Sequence, residues 1–116
     1  MYHLVWLPKY RRKVLVGRVK TRLEDLLREC AMVNNWEVQA LNIQEEHVHM
    51  VIQLPPSVST SRAVQLFKGI SSRMLRSELP EIKKMLWGND FWAEGFFSET
   101  VGTCTEETIL NYVRNQ

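Results

Sequence analysis

The sequence predicts an α+β domain built on an antiparallel sheet, and three observations carry that prediction. Residues 47–54 alternate with period two: His47, His49, Val51 and Gln53 fall on one face, and Val48, Met50, Ile52 and Leu54 on the other. That is the pattern of a strand whose apolar side is packed. Residues 36–43 also alternate and run into this strand through Gln44-Glu45-Glu46, so the two are expected to pair antiparallel as a hairpin. Two longer stretches, 19–33 and 61–77, instead repeat their apolar residues at spacings of three and four, the period of an amphipathic helix.

Taken in order, Tyr2-His3-Leu4-Val5-Trp6-Leu7 is short, aromatic and β-branched, and reads as a strand ended by Pro8. A basic loop follows, Lys9-Tyr10-Arg11-Arg12-Lys13, with an aromatic inside it. A solvated turn is one reading of it. Contact with a nucleic-acid backbone, with Tyr10 stacking on a base, is the other. The first helix presents Val19, Leu23, Leu26, Cys30 and Val33 as its apolar stripe and ends near Asn34-Asn35. Cys30 is therefore assigned to core packing.

Residues 36–43 give two faces, Trp36, Val38, Ala40 and Asn42 against Glu37, Gln39, Leu41 and Ile43. Pro55-Pro56 closes the His strand, and Ser57, Ser59 or Thr60 can cap the second helix. Its apolar stripe is Ala63, Phe67, Ile70 and Met74. The opposite side carries Arg62, Gln65, Gly69, Ser72 and Arg76, flanked by Lys68 and Arg73, with no acid before Glu78. An ordinary solvated face or a phosphate-binding one both fit. Residues 80–86 read as a short helix closed by Trp87-Gly88. Residues 91–98 read as one or two short strands with Trp92 and Phe96 in the core, and Gly95 suggests a bulge or a close backbone approach. After Gly102, Cys104 or Thr105 caps a last helix over residues 106–116. On it Tyr112 and Gln116 share a face, and Leu110 and Val113 can dock.

At 116 residues and 45% hydrophobic, the chain is expected to form one domain with a real core. It has no apolar run of membrane-spanning length and no signal-peptide pattern, so a cytoplasmic protein with no membrane partner is expected. Two cysteines without metal-type spacing, Cys30 and Cys104, are expected to be reduced thiols. The net charge of +2 is too small to demand a nucleic-acid partner, but local basic clusters can bind phosphate without it.

His47 and His49, two residues apart on a strand, sit about 6–7 Å apart on one face and can lean toward one divalent cation. A side-chain carbonyl such as that of Gln116 could complete an open site able to polarise a phosphodiester oxygen. Tyr112, one turn before Gln116, is then a candidate nucleophile. Its phenol has an ordinary pKa near ~10, so it needs a base or a positive charge nearby. Each piece alone has a bland reading: an incidental His-X-His, a core tyrosine, a fraying terminal residue.

Together the pieces resemble a known family. Tyr2-His3-Leu4-Val5-Trp6-Leu7-Pro8-Lys9-Tyr10-Arg11-Arg12 resembles the opening of the insertion-sequence-200-like transposases, the single-tyrosine members of the HUH (His-hydrophobic-His) nucleases. Glu46-His47-Val48-His49-Met50-Val51 resembles their HUH strand. The segments 61–69, 91–97 and 112–116 resemble further family blocks in the family order, so the similarity spans nearly the whole chain. The resemblance implies a ferredoxin-like (RNA-recognition-like) antiparallel sheet with helices packed on one face and a C-terminal helix bearing the tyrosine. It implies His47, His49 and Gln116 as ligands of Mg²⁺ or Mn²⁺ and Tyr112 as the nucleophile. It further implies single-stranded DNA substrates with hairpin ends, 5′-phosphotyrosine links, and a homodimer whose active sites are shared between protomers. Lys9, Tyr10, Arg11, Arg12, Arg62, Lys68 and Arg73 are the candidate DNA contacts. Glu46 stands where relatives often carry aspartate. If the strand alternation reaches it, it points to the opposite face, which leaves it outside the metal set.

Three functions fit these readings: a transposase, a domesticated single-tyrosine nickase of genomic hairpins, and a non-catalytic nucleic-acid-binding module. The last needs exposed aromatics on the central strands, where this sequence offers His47, His49 and Gln53.

Overall fold

The computed structural model describes residues 1–85 and 90–101. The hairpin of β2 (Glu37–Gln44) and β3 (His47–Gln53) forms as expected, turning at Glu45-Glu46. β1 (Tyr2–Trp6) pairs antiparallel with β3, with His3 opposite Val51 and Val5 opposite His49. β4 (Phe97–Thr100) pairs antiparallel with the other edge of β1. The strand order is therefore β2-β3-β1-β4. With α1 (Gly17–Val33) between β1 and β2, and α2 (Thr60–Glu78) and α3 (Pro80–Met85) between β3 and β4, this is the ferredoxin-like arrangement.

One face of the sheet makes the core. Leu4, Trp6, Val48, Met50 and Ile52 pack with Leu23, Leu27 and Ala63, Phe67, Leu75 from the two long helices. Trp6 stacks on Phe67 at 5.8 Å between ring centroids, and Trp36 and Trp92 meet these two rings edge-on. The second face is also covered near its centre, where Val51 and Ala40 form a small separate cluster with Met1.

Several expectations are corrected. The alternation in β2 does not run unbroken. Between Val38 and Ala40 the register shifts, so Gln39 is an extra residue, a β-bulge. The bulge changes the parity of the strand: Val38, Leu41 and Ile43 reach the main core, while Ala40, Asn42 and Gln44 pair with Val51, His49 and His47. In α1 the buried positions are Val19, Leu23, Leu26, Leu27, Cys30 and Ala31, whereas Val33 is 78% exposed. Val33 is the last residue of the helix, and the chain departs there through a Schellman cap. Asn35 takes a left-handed φ of +60°, its N–H donates to Met32 O, and Trp36 N–H donates to Ala31 O. In α2 the buried stripe is Ala63, Val64, Phe67, Ser71 and Leu75, with Ile70 and Met74 only partly buried. Ser59 is its N-cap, accepting from Arg62 N–H at 3.0 Å. Of residues 91–98, only Phe97 and Ser98 belong to a strand, and that strand runs on to Thr100. Trp92 makes an isolated bridge with Pro8. The expected closure at Trp87-Gly88 and the helix over 106–116 lie outside the described residues.

Candidate active site

The strand register brings three imidazoles, not two, to the second face of the sheet. His47 and His49 project from β3 as their spacing requires, with ring centroids 4.3 Å apart. His3, on the adjacent strand β1, lies diagonal to His49. The two rings stack at 5.6 Å, and His3 Nε2 is 3.3 Å from His49 Nδ1. Phe97 on β4 meets His3 edge-on. On the other side, Asn42 and Gln44 stand opposite His49 and His47, and the Gln44 amide donates to Asn42 Oδ1.

Glu46 is placed differently from expectation. β3 begins at His47, so Glu46 sits in the turn and the alternation does not extend to it. Its carboxylate comes within 3.4 Å of His47 Nδ1. The other nitrogen of that ring, His47 Nε2, is buried and has no hydrogen-bond partner. A buried polar atom left unpaired costs about 1–3 kcal/mol, so it marks a place where the fold holds a group ready for something else.

Burial, reinforced by the neighbouring His47 and His3 rings, pushes His49 down to about 4. Burial also lowers His3, partly offset by the negative charge of Glu99 across the β1–β4 ladder. Both rings are thus neutral near pH 7, the form in which an imidazole offers a lone pair. Among the described residues, no three His, Cys, Asp or Glu side chains converge as metal ligands. Tyr112 and Gln116 lie outside the described residues.

The basic residues divide between two places. Trp6 pairs with Val48, so β1 ends beside the start of β3 and the loop after it leaves the sheet at the His47 end. In that loop Tyr10 and Arg11 both hold a left-handed backbone, φ +60° and +51°. Tyr10 is 76% exposed, with Lys9 Nζ and Arg12 Cζ each within 5.6 Å of its ring centroid. Lys9 also pairs with Asp90 at 3.1 Å, which raises its pKa. Arg62 and Arg73 are instead on the helical layer, across the sheet from the imidazoles. There they flank a groove of about 520 Å³ floored by Leu26, Cys30, Leu66 and Ile70. Lys68 is partly buried and spans from α2 to the segment before β4, donating to Ala93 O at 2.8 Å and Gly95 O at 2.7 Å. Gly95 holds φ +82° there. A Cβ at Gly95 would meet nothing within 4 Å, so its glycine serves the backbone conformation rather than a close approach.

His3 and Glu46 are the residues that sequence reasoning did not place at the site. The parity of β1 put His3 on one of two faces, but nothing in the sequence said that β1, rather than another strand, would lie against β3.

An antiparallel ferredoxin-like sheet with helices on one face and paired imidazoles on the other defines an α+β domain of the kind found in DNA-processing enzymes. The comparisons make the assignment specific. The IS200-like transposase family matches residues 1–116. The ISDra2 transposase TnpA of Deinococcus radiodurans is 36% identical over 115 residues, which cover 99% of this chain and 82% of that protein. The transposase for insertion sequence element IS200 of Salmonella typhimurium is 31% identical over 99% of this chain and 75% of its own length. A crystal structure of a candidate transposase from Deinococcus radiodurans superposes with a TM-score of 0.80 at 36% identity, covering 99% of this chain and 88% of that one. The structure of a REP-associated tyrosine transposase bound to a REP hairpin shares the fold at 15% identity, with a TM-score of 0.74 over 97% of this chain and 62% of that one. The chain belongs to the IS200-like transposase family, and is thereby a DNA-processing enzyme. No helix among the described residues is long and apolar enough to cross a membrane.

Proposed function

We propose that this transposase cleaves and rejoins single-stranded DNA at insertion-sequence ends by attack of Tyr112 on a phosphodiester. The observation that carries the reading is the buried, partnerless Nε2 of His47 beside the neutral ring of His49. The residues present fit a divalent cation, Mg²⁺ or Mn²⁺, held by His47, His49 and Gln116. Such a cation, when bound, would polarise a phosphodiester oxygen. The Tyr112 phenolate oxygen forms the new bond to phosphorus, and the bond to the 3′-oxygen breaks. That oxygen takes a proton and leaves as a free 3′-hydroxyl. The 5′-phosphotyrosine keeps the energy of the cleaved diester, so rejoining by a 3′-hydroxyl needs no nucleotide cofactor.

Lys9, Arg11 and Arg12, at the His47 end of the sheet, contact the DNA backbone, and Tyr10 is exposed for stacking on a base. Arg62 and Arg73 supply phosphate contacts on the helical layer, where hairpin DNA is the expected ligand. The active unit is a homodimer in which the Tyr112 helix of one protomer serves the His pair of its partner. The non-catalytic reading is weakened by the sheet itself: β1 and β3 carry His3, Val5, His49 and Val51 on the second face, where base stacking needs aromatics.

The test is a covalent protein–DNA adduct on a denaturing gel, using labelled single strands from the ends of its own genomic locus with Mg²⁺. Wild type is expected to form it, and Tyr112→Phe and His47→Ala are not. Tight hairpin binding with no adduct in Mg²⁺ or Mn²⁺ would replace this reading with the binding module.

A further inference from the structure

We propose that His3 is a positioning residue for this site: its Nε2 accepts the Nδ1–H of His49 and so fixes the tautomer that turns His49 Nε2 toward the cation. The inference rests on the metal reading above and adds a residue to it.

An imidazole has one proton to place when neutral, and the nitrogen that binds a cation must be the other one. Ligating histidines are commonly held by an acceptor on the ring nitrogen that does not bind. On this sheet both rings of the pair meet such a partner at Nδ1. For His47 it is the Glu46 carboxylate, at 3.4 Å. For His49 it is His3 Nε2, at 3.3 Å. The His47 ring shows what this arrangement leaves behind, a buried Nε2 without a protein partner.

His3 is itself well fixed for the task. It is 9% exposed and its backbone is locked in β1 between β3 and β4. Its ring is stacked parallel to His49, with an interplanar angle of 10°, and braced edge-on by Phe97. For His3 Nε2 to accept, the His3 proton must sit on Nδ1, and the Glu99 carboxylate across the ladder supplies negative charge near that ring.

The experiment uses the full chain without metal, then with Mn²⁺ alone. Long-range ¹⁵N–¹H correlation spectra at neutral pH read which ring nitrogen of His49 carries the proton. Calorimetric titration with Mn²⁺ reads affinity. Wild type is expected to show His49 protonated on Nδ1. His3→Phe keeps the aromatic contact with Phe97 but removes the acceptor. It should populate the Nε2–H form of His49 and weaken Mn²⁺ by about 10- to 100-fold. His3→Gln places an amide oxygen near the lost nitrogen and should restore both readings. Backbone amide spectra check that each variant is folded, and His3→Leu carries the same comparison should the Phe variant unfold. The proposal is overturned if wild-type His49 carries its proton on Nε2, or if loss of the acceptor moves neither tautomer nor affinity. A tautomer that behaves as expected in a chain that binds no Mn²⁺ would support the His3–His49 pairing and overturn the metal reading instead.

Discussion

On one face of the sheet Leu4, Trp6, Val48, Met50 and Ile52 meet the long helices. One residue further along the same strands, His3, His47 and His49 meet one another. The first face is apolar, fully buried and aromatic at its centre. The second holds polar rings close together, with an unpartnered nitrogen among them. The two faces are made by the same backbone, so the rigidity that the core supplies is delivered directly to the imidazoles. The difference teaches where each kind of mutation should act: stability on one side, ligand chemistry on the other.

The largest effect belongs to the core face. Phe67 is fully buried between Trp6 and Trp36. Phe67→Ala is expected to cost about 3–5 kcal/mol, read as a fall in the urea midpoint. A domain of this kind holds roughly 5–15 kcal/mol in all, so the variant would be close to unfolding. A cost under about 1 kcal/mol, the scale of an ordinary surface change, would mean that the two faces are not mechanically distinct.

Lys68 tests the boundary. It was assigned to DNA, yet its ammonium serves the carbonyls of Ala93 and Gly95. Burial lowers its pKa, consistent with a group partly withdrawn from water. Lys68→Met should cost about 1–3 kcal/mol while leaving the salt dependence of DNA binding as in wild type. Arg73→Ala should do the reverse, reducing the salt slope by about 1 with little change in stability. Equal slopes for the two variants would remove the distinction.

On the imidazole face the sign changes. His47→Ala deletes a buried atom that has no partner, so without metal the protein should be unchanged or up to about 1 kcal/mol more stable. Its Mn²⁺ binding should disappear. Thermal melts with and without Mn²⁺ make the comparison, and a strongly destabilised metal-free variant would show that His47 is a packing residue after all.

Much of this contrast was legible in the sequence, because period two and period 3.6 are properties of single elements. The His strand, both long helices and the Ser59 cap follow from local pattern. What was not legible depends on partners. The bulge at Gln39 exists only in relation to β3, since its alternation can be read on either parity until Ile52 and Val51 are known to oppose Val38 and Ala40. His3 joins the site only because β1 lies beside β3, and Glu46 because the strand starts one residue later. Lys68 has the composition of a phosphate contact. Only the path of residues 93–95 shows what its charge holds. Tyr112 and Gln116 rest on the family pattern.

The smallest effect lies at the far end of the helical layer, where Arg22 of α1 donates through Nε and Nη2 to both oxygens of Glu78 at the end of α2, at 2.7 and 3.0 Å. This hydrogen-bonded pairing with Arg22 holds the Glu78 carboxyl below its usual range. A carboxylate so lowered binds its proton more readily in the unfolded chain than in the folded one. Its contribution is therefore present above the unfolded value and is lost as pH falls through the folded value. Arg22→Ala should lower the melting temperature slightly near pH 6, and the gap from wild type should close as the pH is taken down through and below the carboxylate range. Both side chains are about a third exposed, so added salt should narrow the same gap. None of these changes should reach the imidazole face, so Mn²⁺ affinity in Arg22→Ala is expected to match wild type. A matching loss of affinity would show that the helical layer and the site are coupled through the sheet.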